Sequence, residues 1–325
     1  MEELLERFNG LKALVVGDVM IDVYSKGVVE RMSPEAPVPI VNVQTRFARL
    51  GGAANVALNL KALGATSVLC SVVGNDENGE LLILYMEEAG LDTSCVTLSQ
   101  TRRTTVKHRI FDGDKQVLRM DEEDLNDLND KEHQELWNII KDALDKQRFD
   151  IVIMQDYNKG VLSEKMIRTV TALAQMKGIP VAVDPKKKNF FAYQGVTLFK
   201  PNAKELREGL GATAETPEEL KQAMLALQQR LHCKYLMVTL SDKGMMMLHD
   251  SGIVNLPAHP RHIVDVSGAG DTVLSVAALC VALGESPQAI ATLSNLAGGL
   301  VCEEVGVVPI NKERFAEEIQ RISHE

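Results

Sequence analysis

Two glycines and an aspartate stand together in DVSGAGDT, residues 265–272, directly before the apolar run 273–283. Gly268 and Gly270 permit a turn that points consecutive backbone N–H groups into one concavity at the start of a helix, where the helix dipole adds positive potential. Asp271 would then lie in the first helical turn, beside a bound anion. The stretch fits three hypotheses: a helix cap in which Asp271 only complements the dipole, a dinucleotide fingerprint, or an anion cradle with a catalytic base.

Other glycine-containing stretches narrow these hypotheses. The nucleotide-binding loop G-x-x-x-x-G-K-[ST] needs a Gly-Lys pair, and no such pair occurs in the chain. GLGATA, residues 209–214, matches G-x-G-x-x-A by letter, but it follows a helical segment and therefore predicts a helix C-cap and turn. A Walker-type ATPase and a dinucleotide-binding protein are both disfavoured.

Two further motifs carry groups suited to a hydroxyl-rich ligand and a metal ion. GGAANVA sets Gly51 and Gly52 before Asn55 at the head of a predicted helix, where the backbone can approach a ligand closely. KPNAKE sets Asn202 and Glu205 three residues apart, on one face of a helix that begins where a strand ends. Oxygen ligands so arranged suit Mg²⁺, which keeps several waters and is shared with nucleotide phosphates.

Apolar, β-branched runs alternate with helical patterns through most of the chain, which predicts a mostly parallel sheet covered on both faces. The predicted strands are 11–18, 67–74, 149–156, 179–185, 197–202 and 234–241, and the predicted helices include 53–63, 78–89, 163–177 and 216–231. Ligands of such sheets bind outside the carboxyl ends of the strands. The polar residues expected on that rim are Asp18, Asp156, Asp184, Asn202 and Ser241.

Two regions break this alternation: residues 38–47, and the pair 104–113 and 115–121. Both alternate apolar with polar residues and therefore predict exposed antiparallel strands. We expect them to form a small β-layer that acts as a lid. The predicted organisation is a single α/β domain over residues 1–325, with lid strands inserted at about 19–48 and 100–121.

Composition limits the partners and the compartment. Against 35 Lys and Arg stand 45 Asp and Glu, a net charge of −10, which disfavours a nucleic-acid or anionic-membrane surface. The five cysteines lie far apart, never as C-x-x-C, so neither a disulfide framework nor a zinc site is predicted. The N-terminus lacks the apolar segment of a signal peptide, and the longest apolar run is too short to span a bilayer. These features predict a cytoplasmic protein.

The motifs GGAANVA, KPNAKE, VTLSDKG and DVSGAGDT, in this order, resemble the ribokinase-like (PfkB-type) carbohydrate kinases over essentially the whole chain. The resemblance implies an α/β, three-layer domain with a mostly parallel central sheet and a small β-lid. It also implies ATP and Mg²⁺, with Asp271 as the base that activates the accepting hydroxyl. At the transferred phosphoryl group the resemblance implies Gly268, Ala269 and Gly270. At the nucleotide it implies Asn202, Ala203, Lys204, Glu205, Thr239, Ser241, Gly244 and Asn295, with Asn202 and Glu205 facing the metal ion through water. At the sugar it implies Asp18, Asp22, Gly51, Gly52, Asn55, Arg109, Asp156 and Lys186.

A narrower resemblance rests on RMSPEAPVPIV, KHRIFDGDKQVLRMD, QDYNKGVL and VDPKKKN. These stretches are similar to those of the kinases that phosphorylate D-glycero-β-D-manno-heptose 7-phosphate at C1, on the route to the ADP-heptose of lipopolysaccharide core. In many bacteria that kinase is fused to a nucleotidyltransferase domain. Because this chain ends soon after the kinase motifs, we expect the stand-alone form and a separate nucleotidyltransferase downstream.

A sugar that already carries a phosphate brings roughly two negative charges, which need cations or amides at the far end of its site. The candidate cations are Arg102, Arg103, Lys107, Arg109 and Arg119 in the lid, and Lys186 to Lys188 after a sheet strand. Of the three consecutive lysines, Lys186 is the favoured ligand because it directly follows the predicted rim.

The lid strands would expose apolar surface and open edges, so a homodimer paired through the lid is also expected. Two alternatives remain open from the sequence: another PfkB-type kinase that acts on ribose, fructose phosphate or a nucleoside, and a non-catalytic sugar sensor on the same fold. The scarcity of aromatic residues in the lid disfavours a nucleoside. The presence of Asp271 beside the glycine pair disfavours a sensor.

Overall fold

A nine-stranded sheet forms the centre of the protein. The computed structural model describes residues 2–211, 214 and 216–324. The strands are β1 (Lys12–Gly17), β2 (Val19–Met32), β3 (Pro39–Gly52), β4 (Thr66–Gly74), β5 (Val96–Ser99), β6 (Val106–Asp112), β7 (Lys115–Glu122), β8 (Ile151–Gln155), β9 (Val181–Asp184), β10 (Leu198–Phe199), β11 (Tyr235–Thr239), β12 (Met245–His249) and β13 (Gly252–Leu256). The helices are α1 (Glu2–Arg7), α2 (Ala53–Ala62), α3 (Glu77–Glu88), α4 (Asp130–Lys146), α5 (Glu164–Met176), α6 (Ala203–Leu210), α7 (Pro217–Leu231), α8 (Ala269–Ala282), α9 (Pro287–Val301) and α10 (Lys312–His324).

The central sheet has the order β13-β12-β11-β10-β9-β8-β1-β4-β5, and its strands from β11 to β5 in that order are parallel. Its inner strands are apolar on both faces because helices cover both. Along β1, Ala13 and Val15 pack with α2, α8 and α9, whereas Leu14 and Val16 pack with α4, α5 and α7. The three-layer α/β arrangement predicted from the alternation is the observed one.

A second sheet of four strands has the order β3-β2-β6-β7. It pairs β2 with β3 and β6 with β7 in antiparallel fashion, and β2 with β6 in parallel. The strands β2 and β3 are each 14 residues long; β3 continues beyond the C-terminal end of the predicted stretch 38–47, and β2 lies within the predicted insertion 19–48. We call this four-stranded sheet the lid sheet. It adjoins the central sheet directly, because only Asp18 separates β1 from β2.

The stretch GLGATA includes the C-terminal end of α6. Gly211 adopts a left-handed conformation with φ of 64° at the C-cap of α6, as the sequence predicts, and residues 212 and 213 lie outside the described part. At the other end of α6, Asn202 and Glu205 form a reciprocal capping box. Across the described ranges, no helix combines the length and the apolar character needed to cross a membrane.

Candidate active site

Asp271 lies buried in the first turn of α8, with 2% of its surface exposed. One carboxylate oxygen, Oδ2, accepts a hydrogen bond of 2.8 Å from Asn55 Nδ2, and the other, Oδ1, accepts one of 2.9 Å from the Tyr157 hydroxyl. Burial raises the pKa of Asp271 to about 6, the effect of the nearby Asp184 charge adds to burial, and the two donors oppose both. A carboxylate so tuned can accept a proton near neutral pH.

The start of α8 offers free backbone donors. Gly268 takes a left-handed conformation with φ of 80° at the N-cap, and no side chain caps the helix. The first intrahelical bond runs from Thr272 N–H to Gly268 O at 3.1 Å, and Ala269 N–H donates to Val266 O at 3.3 Å. Since Ala269 is engaged, the free N–H groups of this turn are those of Gly270 and Asp271.

Two lysines and an aspartate lie next to this turn. A Cβ atom on Gly270 would lie 3.6 Å from Asp184 Oδ2 and 3.7 Å from Lys200 Nζ. Lys200 Nζ is 2.9 Å from Asp184 Oδ2, and Lys186 Nζ is 3.3 Å from Asp184 Oδ1. The helix start and both ammonium groups thus surround one space suited to an anion such as a phosphoryl group.

A cleft of about 1390 Å³ opens from this space. Residues predicted at the nucleotide and at the transferred phosphoryl group line it: Asn202, Ala203, Lys204, Thr239, Ser241, Gly244, Asn295, Gly268, Ala269 and Gly270. The far end is shaped by a tight turn after β11. There Ser241 has φ of 59°, and a side chain on Gly244 would collide with Leu256 O, 2.0 Å from its Cβ.

The predicted metal ligands already have protein partners. Glu205 N–H donates to Asn202 Oδ1 and Asn202 N–H donates to Glu205 Oε2, both at 2.8 Å, while Glu205 Oε1 pairs with Lys186. Within residues 2–211, 214 and 216–324, no cluster of three or more His, Cys, Asp or Glu side chains could hold a metal ion by itself. This donor set fits an ion such as Mg²⁺ that is held mainly by water and nucleotide phosphates.

On the sugar side, the lid sheet contributes an ion pair between Asp22 of β2 and Arg109 of β6. Gly51 lies against Asp22, because a Cβ there would be 2.1 Å from Asp22 Oδ2. Gly52 has φ of 62° and passes close to Asp18 O, so both glycines are required by close approach of the backbone. Together with Asn55, these residues form the side of Asp271 that faces the lid sheet.

The contact of Asp18 and Asp156 with sugar stays a prediction, and in the structure both carboxylates have protein partners. Asp18 accepts backbone N–H bonds from residues 157, 159 and 161 at 2.8, 3.0 and 3.1 Å. Asp156 accepts bonds from Asn158 N–H at 2.7 Å and from the Tyr193 hydroxyl at 2.7 Å. Both carboxylates are buried and are used to shape the 157–161 loop, because a buried carboxylate needs such donors.

Lys186 stays a predicted sugar ligand, and in the structure it lines the cleft and has two carboxylate partners, Asp184 and Glu205. Although burial opposes them, these two carboxylates raise the pKa of Lys186. Asp184 is two residues away in the sequence, whereas the pairing with Glu205 of α6 could not be predicted from sequence position.

Most of the other candidate cations have partners away from Asp271. Arg102 donates to the backbone oxygens of Asn126 and Lys159, and Arg103, Arg119 and Lys188 form ion pairs with Asp124, Asp121 and Asp127. Lys107 differs. It shares the β6 face of Arg109, its Nζ lies 4.8 Å from the centre of the Tyr157 ring, and it forms no ion pair with a carboxylate of the described chain.

Sequence reasoning missed Tyr157 and Lys200 as site residues. Tyr157 contacts Asp271, from which 114 positions separate it, and Lys200 is a lysine that is 2% exposed. A buried lysine cannot be recognised from sequence because Lys is ordinarily exposed. The signal for Tyr157 was present in QDYNKG, where the aromatic residue directly follows a predicted rim aspartate.

Comparison with known proteins gives a consistent result. The family model described as pfkB family carbohydrate kinase matches residues 11–314. A protein of Methylobacillus flagellatus named bifunctional protein HldE is 40% identical over 307 residues, which cover 94% of this chain and 63% of that protein. A protein of the same name from Syntrophotalea carbinolica is 38% identical over 318 residues, or 98% of this chain and 64% of that protein. The chain therefore spans less than two thirds of the length of these relatives.

Solved structures of kinases share the fold. Phosphofructokinase-2 from Escherichia coli in complex with potassium superposes with a TM-score of 0.78 at 16% identity, covering 97% of this chain and 99% of that one. Ribokinase from Arabidopsis thaliana, complexed with ribose and ATP, superposes with a TM-score of 0.73 at 18% identity, covering 94% and 98%. At these identities the likeness concerns the fold, and the ribokinase-like fold class predicted from the sequence is confirmed. The absence of a fused nucleotidyltransferase stays a prediction.

Proposed function

The chain belongs to the pfkB family of carbohydrate kinases, and from that premise we propose that it transfers the γ-phosphoryl group of ATP to the C1 hydroxyl of D-glycero-β-D-manno-heptose 7-phosphate. Kinases of this family use ATP with Mg²⁺, and this chain is an ATP-dependent sugar kinase. The observation that carries the proposal is the position of Asp271. Its carboxylate lies in the first turn of α8, directly after the free N–H group of Gly270, and faces the lid sheet through Asn55 and Tyr157.

In the proposed transfer, Asp271 accepts the proton of the attacking C1 hydroxyl while the new O–P bond forms and the bond to the leaving ADP oxygen breaks. The N–H groups of Gly270 and Asp271 and the ammonium of Lys186 stabilise the negative charge on the phosphoryl oxygens. Mg²⁺, when bound with ATP, neutralises charge on the phosphates. Asn202 and Glu205 would face that ion through water.

Lys107 and Arg109 of the lid sheet are the proposed ligands of the phosphate that the sugar already carries. Both lie on one face of β6, beside Asp22 and Gly51. Burial lowers the pKa of Lys107, the charges of Lys159 and Arg109 act in the same direction, and those of Asp22 and Glu123 oppose them. A dianionic phosphate would add charge-assisted bonds to Lys107 and Arg109, so a phosphorylated sugar fits better than ribose.

The HldE relatives and the motifs quoted above favour the heptose phosphate among phosphorylated sugars. The test is ADP release with heptose 7-phosphate, fructose 6-phosphate and ribose as acceptors, compared as kcat/KM. We expect the heptose 7-phosphate value to exceed that of ribose by at least about a hundredfold, because ribose brings no phosphate to the lysine and arginine of the lid sheet. We expect it to exceed the value for fructose 6-phosphate as well. A preference for fructose 6-phosphate or ribose contradicts this choice of substrate, and binding without turnover would indicate a sensor. We propose that the reaction takes place in the cytoplasm.

We further propose a homodimer paired through the lid sheet. Several large apolar side chains of the lid sheet are 36 to 55% exposed: Val28, Met32, Val43, Val117, Leu118 and Met120, as is Val38 directly before β3. Their exposure favours association because a contact between lid sheets would remove apolar surface from water.

Light scattering at micromolar concentration should therefore give twice the mass of the 35.7 kDa chain. Leu118→Lys should give monomers, since it sets charge in the apolar contact. Met176→Lys is the matched control: this methionine is 80% exposed at the end of α5, far from the lid sheet, and the variant should stay dimeric. A monomeric wild-type protein contradicts the proposal.

A further inference from the structure

We infer that Tyr157 is a positioning residue for the transfer reaction: its hydroxyl, together with Asn55, holds the carboxylate of Asp271 in the orientation that receives the acceptor proton. The inference rests on the proposed function, in which Asp271 is the base. It concerns a residue to which the sequence motifs assigned no role, on the loop between β8 and α5. Three features of the structure support this role: the bonds to Asp271, the hydrogen bonds that hold the loop, and the two lysines beside the ring.

The two bonds fix the plane of the Asp271 carboxylate. Asn55 Nδ2 binds Oδ2 at 2.8 Å and the Tyr157 hydroxyl binds Oδ1 at 2.9 Å. A carboxylate has about four lone-pair sites, so two remain for the incoming hydroxyl. Without the tyrosine, the carboxylate could rotate about its last torsion, which is broad and soft. A base must lie within hydrogen-bond reach of the proton it removes, and its orientation therefore affects the rate.

The loop that carries Tyr157 is held by two buried carboxylates, Asp18 and Asp156. Three loop N–H groups, from residues 157, 159 and 161, converge on Asp18 at 2.8 to 3.1 Å. Asn158 takes a left-handed conformation with φ of 56°, unusual for a non-glycine residue, and its N–H donates to Asp156. These four bonds to buried carboxylates restrict the backbone of the loop. The consequence is a fixed position for the Tyr157 side chain.

The ring of Tyr157 lies beside cations from two regions of the molecule. Lys107 Nζ, from the lid sheet, lies 4.8 Å from the ring centre, and Lys186 Nζ, from the nucleotide side, lies 5.1 Å from it. Cation–π attraction at such distances holds the ring between the two binding regions. Burial raises the pKa of the Tyr157 hydroxyl well above its usual value, and the negative charges of Asp271 and Asp184 raise it further. Tyr157 therefore remains a donor at every pH at which the enzyme would work.

The test is the pH profile of kcat for Tyr157→Phe, which keeps the ring and removes the donor. The tyrosine hydroxyl binds the charged form of Asp271, so its loss favours protonation of that carboxylate. The acid limb of the profile, which is the fall of kcat at low pH, should therefore move upward by about one pH unit. We expect kcat on the plateau to fall by about tenfold to a hundredfold and the KM for ATP to stay within about twofold. A structural role alone would lower the melting temperature without moving the acid limb.

Tyr193→Phe is the matched control. Tyr193 is also a buried tyrosine whose hydroxyl donates to a carboxylate, Asp156 Oδ2, at 2.7 Å, but it makes no contact with Asp271. This variant should keep the wild-type acid limb. An unshifted limb in Tyr157→Phe, or an equal shift in Tyr193→Phe, would overturn the inference.

Two further measurements keep the outcome decisive. If the proposed function is wrong, Asp271→Asn will retain activity. If Asp271→Asn is inactive but the pH dependence of kcat in Tyr157→Phe equals that of the wild type, only the role of Tyr157 is contradicted. If Tyr157→Phe turns over too slowly to follow, its melting temperature is compared across pH with that of the double variant Tyr157→Phe/Asp271→Asn. The pH at which the difference between the two melting temperatures changes reports the titration of Asp271. It should lie above the pH found in the same way from the wild type and Asp271→Asn. Equality with the wild-type value overturns the inference.

Discussion

Asp271→Asn is expected to lower kcat by about 10² to 10⁴ while the affinity for nucleotide changes little. The substitution removes the proton acceptor but keeps the shape of the side chain. Its amide oxygen can still accept from Asn55, and its amide nitrogen can donate to the Tyr157 oxygen, so both neighbours keep partners. The free N–H groups at the start of α8 remain available to phosphate. The measurement is kcat together with the Kd for ATP and the melting temperature.

The pH dependence of the same variant provides its control. Because the pKa of Asp271 is raised to about 6, wild-type kcat should fall as the pH drops through about 6, and this limb should be lost in Asp271→Asn. A carboxyl group with a raised pKa contributes stability below its unfolded pKa of 3.8, and that contribution is lost as the pH rises through about 6. At pH 8 the variant should therefore melt no lower than the wild type. A kcat within about threefold of wild type would contradict the role of Asp271 as base.

Lys200→Met is expected to cause the largest loss of stability of the variants considered, a fall of about 3 kcal/mol in the free energy of unfolding. Lys200 and Asp184 form a pair with 2% and 5% of their side chains exposed, at 2.9 Å. Although burial opposes ionisation, Lys186 and Lys200 lower the pKa of Asp184. Removing Lys200 leaves the buried carboxylate with Lys186 alone, so we place the loss at the lower end of the range for broken buried pairs.

Lys188→Met is the matched control for that prediction, measured by urea unfolding. Lys188 pairs with Asp127 at a similar distance, 2.8 Å, but the two side chains are 42% and 43% exposed. Exposed pairs contribute about 0 to 1 kcal/mol, so this variant should be close to wild type. Adding Asp184→Asn to Lys200→Met should recover part of the stability, because it removes a buried negative charge that has lost one of its two cations. Equal stability of the two lysine variants would show that the buried pair does not stabilise the fold.

The sequence predicted most of the fold because the relevant signals are local. The buried strands, the glycine end of α6 and the glycine start of α8 each depend on a few consecutive residues. The lid sheet was only partly foreseen, since β2 begins in buried surroundings and ends in exposed ones, and a strand that changes surroundings has no single pattern. The short strands β12 and β13 were also missed, because an apolar run of five residues can fit either a strand or a helix.

The chemistry of the site was harder to predict, because it depends on pairs that are distant in sequence. Asp18 and Asp156 follow strands, where ligand-binding residues are expected, and the sequence could not show that their oxygens accept bonds from N–H groups of the 157–161 loop and from Tyr193. Lys186 follows the rim, and the sequence could not show its pairing with Glu205 of α6. A residue type and a position in a strand therefore identify candidates for the site, and only the hydrogen-bond partners decide which of them are free for substrate.

The most direct test of the proposed transfer is the product formed from ATP, Mg²⁺ and D-glycero-β-D-manno-heptose 7-phosphate, examined by phosphorus NMR correlated with the sugar protons. We predict one ADP per sugar and a second phosphate ester whose phosphorus couples to the proton on C1, because Asp271 takes the proton from that hydroxyl. Asp271→Asn under the same conditions should form this product at least about a hundredfold more slowly. A phosphate on another carbon, or no ADP beyond that released from ATP alone, would contradict the proposed reaction.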